Sequence, residues 1–340
     1  MKKNLKKLLL VLITVSIIFA GDFLFGLAPK AKEITWGVNF SQKHAESLGL
    51  DWQNTYSALL DDLSVRNLKL ITYWDLIEPK EGKLDFEDLD WQIKKAEEKG
   101  VKVFLVIGIK TPRWPECHEP EWVKAQSAEL KSQSLLKYIE TLVNRYKDSP
   151  AIWAWQVENE PFLKFGECPW PPDEELLGKE IALVKKLDPE KPVVISGSGE
   201  WSFWIREAKI GDMVGITMYK IVWISQLERY LKYPFSPLFY WLKAKTVEKM
   251  LEKKVMVVEL QTEPWGPTLL YDSPLNEQQK TMNLDQFKRN IDFAKKTGLD
   301  EFYLWGAEWW FWMKEKQDQP EIWNEARKLF PSFKNEILIK

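Results

Sequence analysis

Short apolar runs alternate with longer amphipathic stretches along residues 34–305, and this alternation limits the possible folds more than any other feature. Eight runs have the length and apolar character of buried strands. They are Ile34–Phe40, Leu68–Tyr73, Val101–Ile109, Ile152–Val157, Pro192–Ser196, Met213–Tyr219, Val255–Leu260 and Glu301–Trp305. Strands that alternate with helices form a parallel sheet, and eight such units close into a (β/α)8 TIM barrel of the α/β class.

The stretches between these runs have the spacing of amphipathic helices. Residues 86–96, for example, carry apolar side chains at three- and four-residue steps, and Gly100 follows as a helix stop. No low-complexity linker divides residues 33–340, so we expect a single barrel domain. An open doubly wound sheet is the alternative, although eight units without a second domain favour closure. Residues 221–250 fit either two helices or a long loop.

Residues 1–28 have the features of an export segment. A lysine-rich start precedes the apolar stretch Leu8–Ala20, as in a signal peptide. Apolar character resumes at Phe23–Ala28, so a retained membrane anchor fits as well. Both alternatives place the rest of the chain outside the cytoplasm, secreted, periplasmic or anchored to the outer face of the membrane. Any membrane contact is expected through this segment alone.

The composition excludes several classes of function. The 48 basic and 50 acidic residues give a net charge of −2, which argues against a nucleic-acid partner. Two His and two Cys are too few for a His-built metal site or a four-thiolate zinc site. We therefore expect no metal and no cofactor. A metal-dependent hydrolase would need a site of carboxylates alone, of the kind that binds Mg²⁺ or Ca²⁺.

Carboxylates follow two of the predicted strands at the end where barrel enzymes carry their sites. Asn159, Glu160 and Pro161 end the fourth strand, and Glu259 ends the seventh. Because these strands lie on opposite sides of a barrel, the two carboxylates can face a shared space. Glu263 is a rival to Glu259, but it lies in the loop beyond the strand.

Two facing carboxylates are what the cleavage of an acetal requires. One protonates the leaving oxygen, and the other acts at the anomeric carbon. A separation of about 5–5.5 Å gives retention through a covalent intermediate, whereas about 6.5–9.5 Å admits a water and gives inversion. The sequence does not fix this separation.

The Asn159-Glu160-Pro161 motif on a fourth strand, together with Glu259 on a seventh, resembles the clan A glycoside hydrolases. Residues 73–86 and the following Leu89-Asp90 resemble a Trp-…-Glu-Pro-…-Gly-…-Asp-Phe run of family 42 β-galactosidases and family 5 cellulase-like enzymes. The resemblance implies a retaining glycosidase that acts on β-linked sugars, and the many tryptophans predicted in loops suggest an oligo- or polysaccharide substrate. It also implies that Glu160 is the acid/base and Glu259 the nucleophile.

The same resemblance suggests roles for three further residues. Asn159 would bind the 2-hydroxyl of the sugar, Tyr219 would hold the nucleophile, and Trp305 would form the floor under the sugar. For both Tyr219 and Trp305, the alternative is a role in packing the barrel interior. Lys69 stands where many clan members have Arg beside the nucleophile, and Lys lacks the planar guanidinium fork.

The chain has 19 Trp, more than a core needs, and flat apolar rings are typical of sugar-binding surfaces. Several are predicted to lie in loops after strands, on the same end of the barrel. They are Trp114, Trp170, Trp265, Trp309, Trp310 and Trp312. We predict that Trp114, Trp265 and Glu263 line the substrate site. By contrast, Trp91 and Trp153 are expected to pack within the protein.

Cys117 and Cys168 lie in the predicted loops after the third and fourth strands, which are neighbours. In an exported chain we expect a disulfide between these loops, the alternative being two separate buried thiols. A non-catalytic, surface-anchored carbohydrate-binding barrel is the competing function. Such a protein would be expected to have lost at least one of Glu160, Glu259 and Asn159.

Overall fold

Eight parallel strands close into a barrel, as the sequence predicts. The computed structural model describes residue 21, residues 26–170 and residues 173–330. Most of the predicted export segment therefore lies outside the described residues. The barrel strands neighbour one another in the order β1-β2-β3-β4-β5-β6-β9-β10, and β10 pairs with β1 to close the ring. The strands, including two outside the barrel, are β1 Thr35–Phe40, β2 Asn67–Ile71, β3 Lys102–Ile107, β4 Ile152–Val157, β5 Val193–Gly197, β6 Met213–Met218, β7 Ile221–Ile224, β8 Arg229–Lys232, β9 Lys254–Gln261 and β10 Glu301–Trp305.

Helices follow the barrel strands and cover their outer faces. The described α-helices are α1 Gln42–Ser47, α2 Trp52–Asp61, α3 Trp74–Ile77, α4 Glu87–Glu98, α5 Glu121–Lys124, α6 Ala128–Tyr146, α7 Glu174–Leu187, α8 Ile205–Ile210, α9 Pro237–Leu251, α10 Leu275–Gln278, α11 Leu284–Lys295, α12 Ala307–Lys316 and α13 Glu321–Arg327. Asp173 shows how the sequence starts one of them, because its side chain accepts a hydrogen bond from the N–H of Leu176 at the first turn of α7.

The strands are buried on both faces, and this is why they are nearly continuous apolar runs. Alternate residues point inward, where side chains fill the barrel in a layer separate from the core under the helices. Members of this inner layer are Phe104, Ala154, Val194, Met256, Val258 and Tyr303. The interior is therefore packed, and open space for a ligand is left to the ends of the barrel.

Residues 221–250 form neither two helices nor a long loop, so both alternatives were wrong. The antiparallel hairpin β7–β8 comes first, with Ile221 opposite Lys232, and the single helix α9 follows. The β-branched and aromatic residues of β7 favour extended backbone. Ser236 and Pro237 then start α9, because the Ser236 hydroxyl accepts a hydrogen bond from a first-turn N–H and proline suits the first helical position.

Three of the tryptophans predicted to lie in loops belong instead to α12. Trp309 and Trp310 are buried, and their indole N–H groups donate to the Gln278 side chain at 2.7 Å and the Thr262 carbonyl at 2.8 Å. Trp312 is half-buried against the core. The physical reason is that α12 begins directly after Gly306, so β10 is followed by a helix without an intervening loop.

Cys117 and Cys168 form a disulfide, with their Cα atoms 5.0 Å apart. The bond joins the loop after β3 to the loop after β4. Among the described residues, no helix has the length and apolar character needed to cross a membrane.

Replacing both cysteines with alanine is expected to lower the free energy of unfolding by about 3–4 kcal/mol, because the disulfide constrains a large loop of the unfolded chain. Urea unfolding of the oxidised wild type and the double variant, followed by tryptophan fluorescence, measures this difference. Reduced wild type is the matched control and should unfold like the variant. An unchanged unfolding midpoint in the variant would contradict the prediction.

Candidate active site

Glu160 and Glu259 lie at the carboxyl ends of β4 and β9, on either side of β6. Thr217 of β6 connects them: it is the register partner of Glu259, and its hydroxyl lies 3.3 Å from Glu160 Oε1. Both glutamates are buried at the barrel mouth. The structure thus brings the two predicted catalytic carboxylates to one site.

Two donors from opposite parts of the barrel hold Glu259. The Lys69 ammonium of β2 donates to Oε1 at 2.8 Å, and the Tyr219 hydroxyl, just beyond β6, donates to Oε2 at 3.1 Å. Lys69 is completely buried and Glu259 is only 3% exposed. A buried carboxylate needs a charged and hydrogen-bonded partner of this kind. The position that the resemblance assigns to Arg is thus filled by a lysine that contacts the carboxylate.

A backbone hydrogen bond positions Glu160, and its carboxyl group is buried close to the charge of Glu259. Its N–H donates to the Ser196 hydroxyl at 2.8 Å, and its φ of 42° places it in the left-handed region. Burial, and next the charge of Glu259, raise its pKa to about 8. At neutral pH this carboxyl group therefore retains its proton.

The side chain of Asn159, the residue before Glu160 in the chain, contacts a third buried carboxyl group, that of Glu116. Its Nδ2 donates to Glu116 Oε2 at 3.0 Å, and its Oδ1 accepts from Gln156 Nε2 at 3.2 Å. Burial raises the pKa of Glu116 to about 7. Sequence reasoning did not identify Glu116, although it directly precedes Cys117 and its loop is fixed by the disulfide.

Glu158 has a structural role, since its carboxylate organises the loop after β3. It accepts hydrogen bonds from the N–H groups of Ile109 at 2.9 Å and Lys110 at 2.6 Å. Lys110 in turn donates from Nζ to the Asn159 carbonyl at 2.7 Å. Gly108 is required here, because a Cβ at this position would collide with the Glu158 carboxylate.

Glu263 occupies a separate ion-pair network rather than the space between the two carboxylates. It pairs with Arg113, and its Oε2 lies 3.5 Å from His44 Nε2. Burial alone would raise its pKa, but Arg113 and then His44 bring it down to about 2. Arg113 also pairs with Glu308 at 3.1 Å and lies over the Trp305 ring, 3.8 Å from its centroid.

Aromatic rings form a row from the rim of the barrel towards Glu259. Trp114, 46% exposed, contacts Phe165, and Phe165 contacts Trp265 with ring centroids 5.6 Å apart. Trp265 then packs edge-on against Tyr219 at 5.2 Å. Trp305 lies near these rings, in the same cluster as Tyr219. The predicted substrate-binding residues Trp114, Trp265, Tyr219 and Trp305 thus share one face of the site.

The predicted packing roles of two other tryptophans agree with their positions. Trp91 of α4 packs edge-on against Trp52, and Trp153 packs against the inner layer of the barrel. In the part of the chain that the structure describes, no cluster of three or more His, Cys, Asp or Glu residues is arranged to hold a metal ion.

Fold and site together define a (β/α)8 barrel that carries two buried carboxyl groups of unlike environment at its carboxyl end. Residues 51–175 match the sequence model of glycoside hydrolase family 42, described as β-galactosidase. This match confirms the resemblance to glycoside hydrolases that the motifs indicated.

Curated relatives match shorter parts of the chain. Mannan endo-1,4-beta-mannosidase F of Aspergillus clavatus is 28% identical over 130 residues, which are 35% of this chain and 28% of that protein. Endo-1,4-beta-xylanase 3 of Hypocrea jecorina is 28% identical over 159 residues, 45% of this chain and 42% of that protein. The chain thus matches less than half the length of either relative.

Solved structures share the fold at low sequence identity. GH5_18 from Bifidobacterium longum superposes with a TM-score of 0.56 at 15% identity, covering 81% of this chain and 70% of that one. At this identity the likeness concerns the barrel fold, which confirms the predicted architecture.

Proposed function

We propose that this protein is a retaining glycoside hydrolase that cleaves β-linked oligo- or polysaccharides, with Glu160 as acid/base and Glu259 as nucleophile. The observation that carries the proposal is the contrast between the two carboxyl groups. Glu160 retains its proton at neutral pH, while Glu259 accepts hydrogen bonds from an ammonium group and a phenol. A pair of titratable groups in opposed environments is the pattern of an acid and a nucleophile.

The reaction follows from these positions in two steps. Glu259 attacks the anomeric carbon as Glu160 gives its proton to the leaving oxygen, so a glycosyl–carboxylate bond forms as the glycosidic bond breaks. Glu160, now ionised, then takes a proton from water. The water attacks the same carbon and releases Glu259, and the two inversions leave the configuration retained.

The neighbouring groups have parts in this reaction. Lys69 and Tyr219 fix the Glu259 oxygens so that one of them can face the sugar. Trp305, Trp265 and Trp114 offer flat apolar surfaces for the sugar rings. Asn159 lies beside Glu160, where its amide can reach the substrate if it exchanges its contact with Glu116.

The substrate class rests on the relatives. The matched mannanase and xylanase are named for β-1,4-linked chains, and the matched family is described as β-galactosidase. We further infer that the barrel acts outside the cytoplasm. The lysine-rich, apolar start of the sequence and the disulfide support this location.

Hydrolysis of a panel of aryl β-glycosides and β-1,4-linked oligosaccharides tests the activity, and proton NMR of the first product gives its anomeric configuration. We expect cleavage with a β-anomer formed first. A first product of α configuration would exclude the retaining mechanism. Saccharide binding without any cleavage would instead favour the non-catalytic carbohydrate-binding barrel.

The pH dependence of kcat/KM should fall at the alkaline side as Glu160 loses its proton. Its pKa is raised, so the active acid form predominates below about pH 8 and declines above it. Above this point we expect about a tenfold loss per pH unit. Initial rates between pH 5 and 10 on an oligosaccharide measure this limb. A decline that begins below about pH 6 would contradict Glu160 as the acid.

A further inference from the structure

A row of exposed side chains, two of them apolar, runs along the outer side of α9, away from the barrel. Leu242 is 42% exposed and Met250 is 67% exposed. With the exposed Thr246 between them, they recur at four-residue steps and therefore lie on one side of the helix. A helix on the surface of a globular protein normally turns its apolar residues towards the core, so packing within the barrel does not explain this row.

The charges beside this row are basic. Lys249 is exposed next to Met250, and Lys245 lies one turn before it. The one acidic residue within Pro237–Leu251 is Glu248, which pairs with Lys245 and lies about 120° around the helix from Leu242. The chain as a whole has a net charge of −2, so this basic side of α9 is a local feature. Apolar side chains accompanied by lysines are typical of helices that lie on membrane surfaces.

The N-terminal part of the described chain meets the barrel at this same helix. The Gly26 carbonyl accepts a hydrogen bond from the N–H of Leu238, in the first turn of α9, at 3.2 Å. A Cβ at Gly298, in the turn after α11, would collide with both the Pro29 carbonyl and the Trp241 ring. Residues 26–29 therefore lie against the start of α9 and the adjoining turn.

The sequence that precedes Gly26 has the composition of a membrane span. Residues 8–25 contain one charged residue, Asp22, and are long enough to cross a bilayer, which takes about 17–25 residues. If this segment crosses the membrane, Gly26 and the first turn of α9 lie at the bilayer surface. Leu27, which is 72% exposed, lies there as well.

We propose that the outer side of α9 rests on the surface of an anionic membrane, beside the place where the N-terminal segment enters it. Its apolar side chains enter the headgroup boundary, and Lys245 and Lys249 contact anionic headgroups. α9 packs on β9 from outside the barrel, so the barrel mouth with Glu160 and Glu259 stays open to solvent. The inference goes beyond the proposed function, because it concerns the flank of the barrel rather than its mouth.

A fluorescent probe on α9 tests this contact in the full chain. The two native cysteines form the disulfide, so a nitrobenzoxadiazole label reacts with the thiol of Thr246→Cys alone. The labelled chain is reconstituted in bilayers of phosphatidylcholine and phosphatidylglycerol that contain a lipid with a quencher near its headgroup. The matched control is Thr141→Cys on α6, on the far side of the barrel. Both threonine hydroxyls make exposed hydrogen bonds of 2.8 Å to the carbonyl four residues earlier.

The lipid should quench the probe at position 246 at least about twofold more than the probe at position 141, because a helix on a membrane lies about 5–10 Å into the headgroup boundary. Bilayers of phosphatidylcholine alone, or added salt, should reduce this difference. Lys249→Glu combined with Leu242→Ser should bring the quenching at position 246 down to the control value. Both substitutions are at exposed positions and should leave the urea unfolding midpoint nearly unchanged.

Three results would overturn the proposal. The first is equal quenching of the two probes, and the second is a chain that stays in the aqueous fraction when the vesicles are floated. The third is a probe at position 246 that is shielded from aqueous iodide but is not quenched by the lipid, because another protein, such as a second copy of this chain, would then cover α9. None of these readouts involves cleavage of a glycoside, so the outcome is separate from that of the proposed hydrolase function.

Discussion

Replacing Glu259 with alanine is expected to lower kcat at least about 10⁴-fold on every β-glycoside that the wild-type protein cleaves, because no covalent intermediate can form. Azide should restore part of the rate. This small anion fits the space left by the carboxylate and attacks the anomeric carbon from the same side, so the product should be an α-glycosyl azide. Initial rates with and without azide, and NMR of the product, measure both effects.

Glu263→Gln is the matched control for this experiment. Glu263 belongs to the network of Arg113 and His44, so its loss should weaken the site without producing an azide-dependent activity. If Glu259→Ala retains most of the wild-type rate while the Glu263 variant is inactive, the nucleophile has been assigned to the wrong residue.

The second large effect is expected from Glu160→Ala, and it should depend on the leaving group. With sugar leaving groups, which need a proton, kcat/KM should fall about 10²- to 10⁴-fold. Dinitrophenolate can leave without being protonated, so dinitrophenyl glycosides should form the glycosyl-enzyme at nearly the wild-type rate. Azide should then accelerate breakdown of this intermediate and give a β-glycosyl azide.

A pre-steady-state burst of dinitrophenol followed by slow turnover would show this behaviour directly. The alkaline decline near pH 8 should also disappear in the variant, since the titrating group is gone. A loss of equal size on all leaving groups would instead indicate that Glu160 shapes the site without transferring a proton.

The barrel could be predicted because its strands are buried on both faces and therefore stand out as apolar runs. β4, for example, has the predicted bounds, and β9 extends the predicted run by one residue at each end. The hairpin β7–β8 was missed, because two strands of four residues are too short for a periodic pattern. The start of α12 was missed because a run of tryptophans directly after a strand also suits a ligand-binding loop. The backbone there is helical.

The sequence predicts the residues of the candidate site that lie directly at the ends of strands. Glu160 and Glu259 follow strand-like runs, and the barrel rule brings such positions together. Their partners depend on contacts between distant parts of the chain. Arg113 reaches Glu263 and Glu308 from a loop, and Glu116 reaches Asn159 only because the loops after β3 and β4 adjoin. No local pattern in the sequence encodes these contacts.

The ion pair between Lys69 and Glu259 also makes the proposed hydrolase activity a reporter of barrel closure during folding. The two residues are separated by 190 positions, and they come together only when β2 and β9 occupy the same closed ring. Contacts between positions so far apart form late, since a long loop must close before they are gained. During refolding, far-ultraviolet circular dichroism should therefore recover before activity does, and the lag between them would time the closure of the barrel.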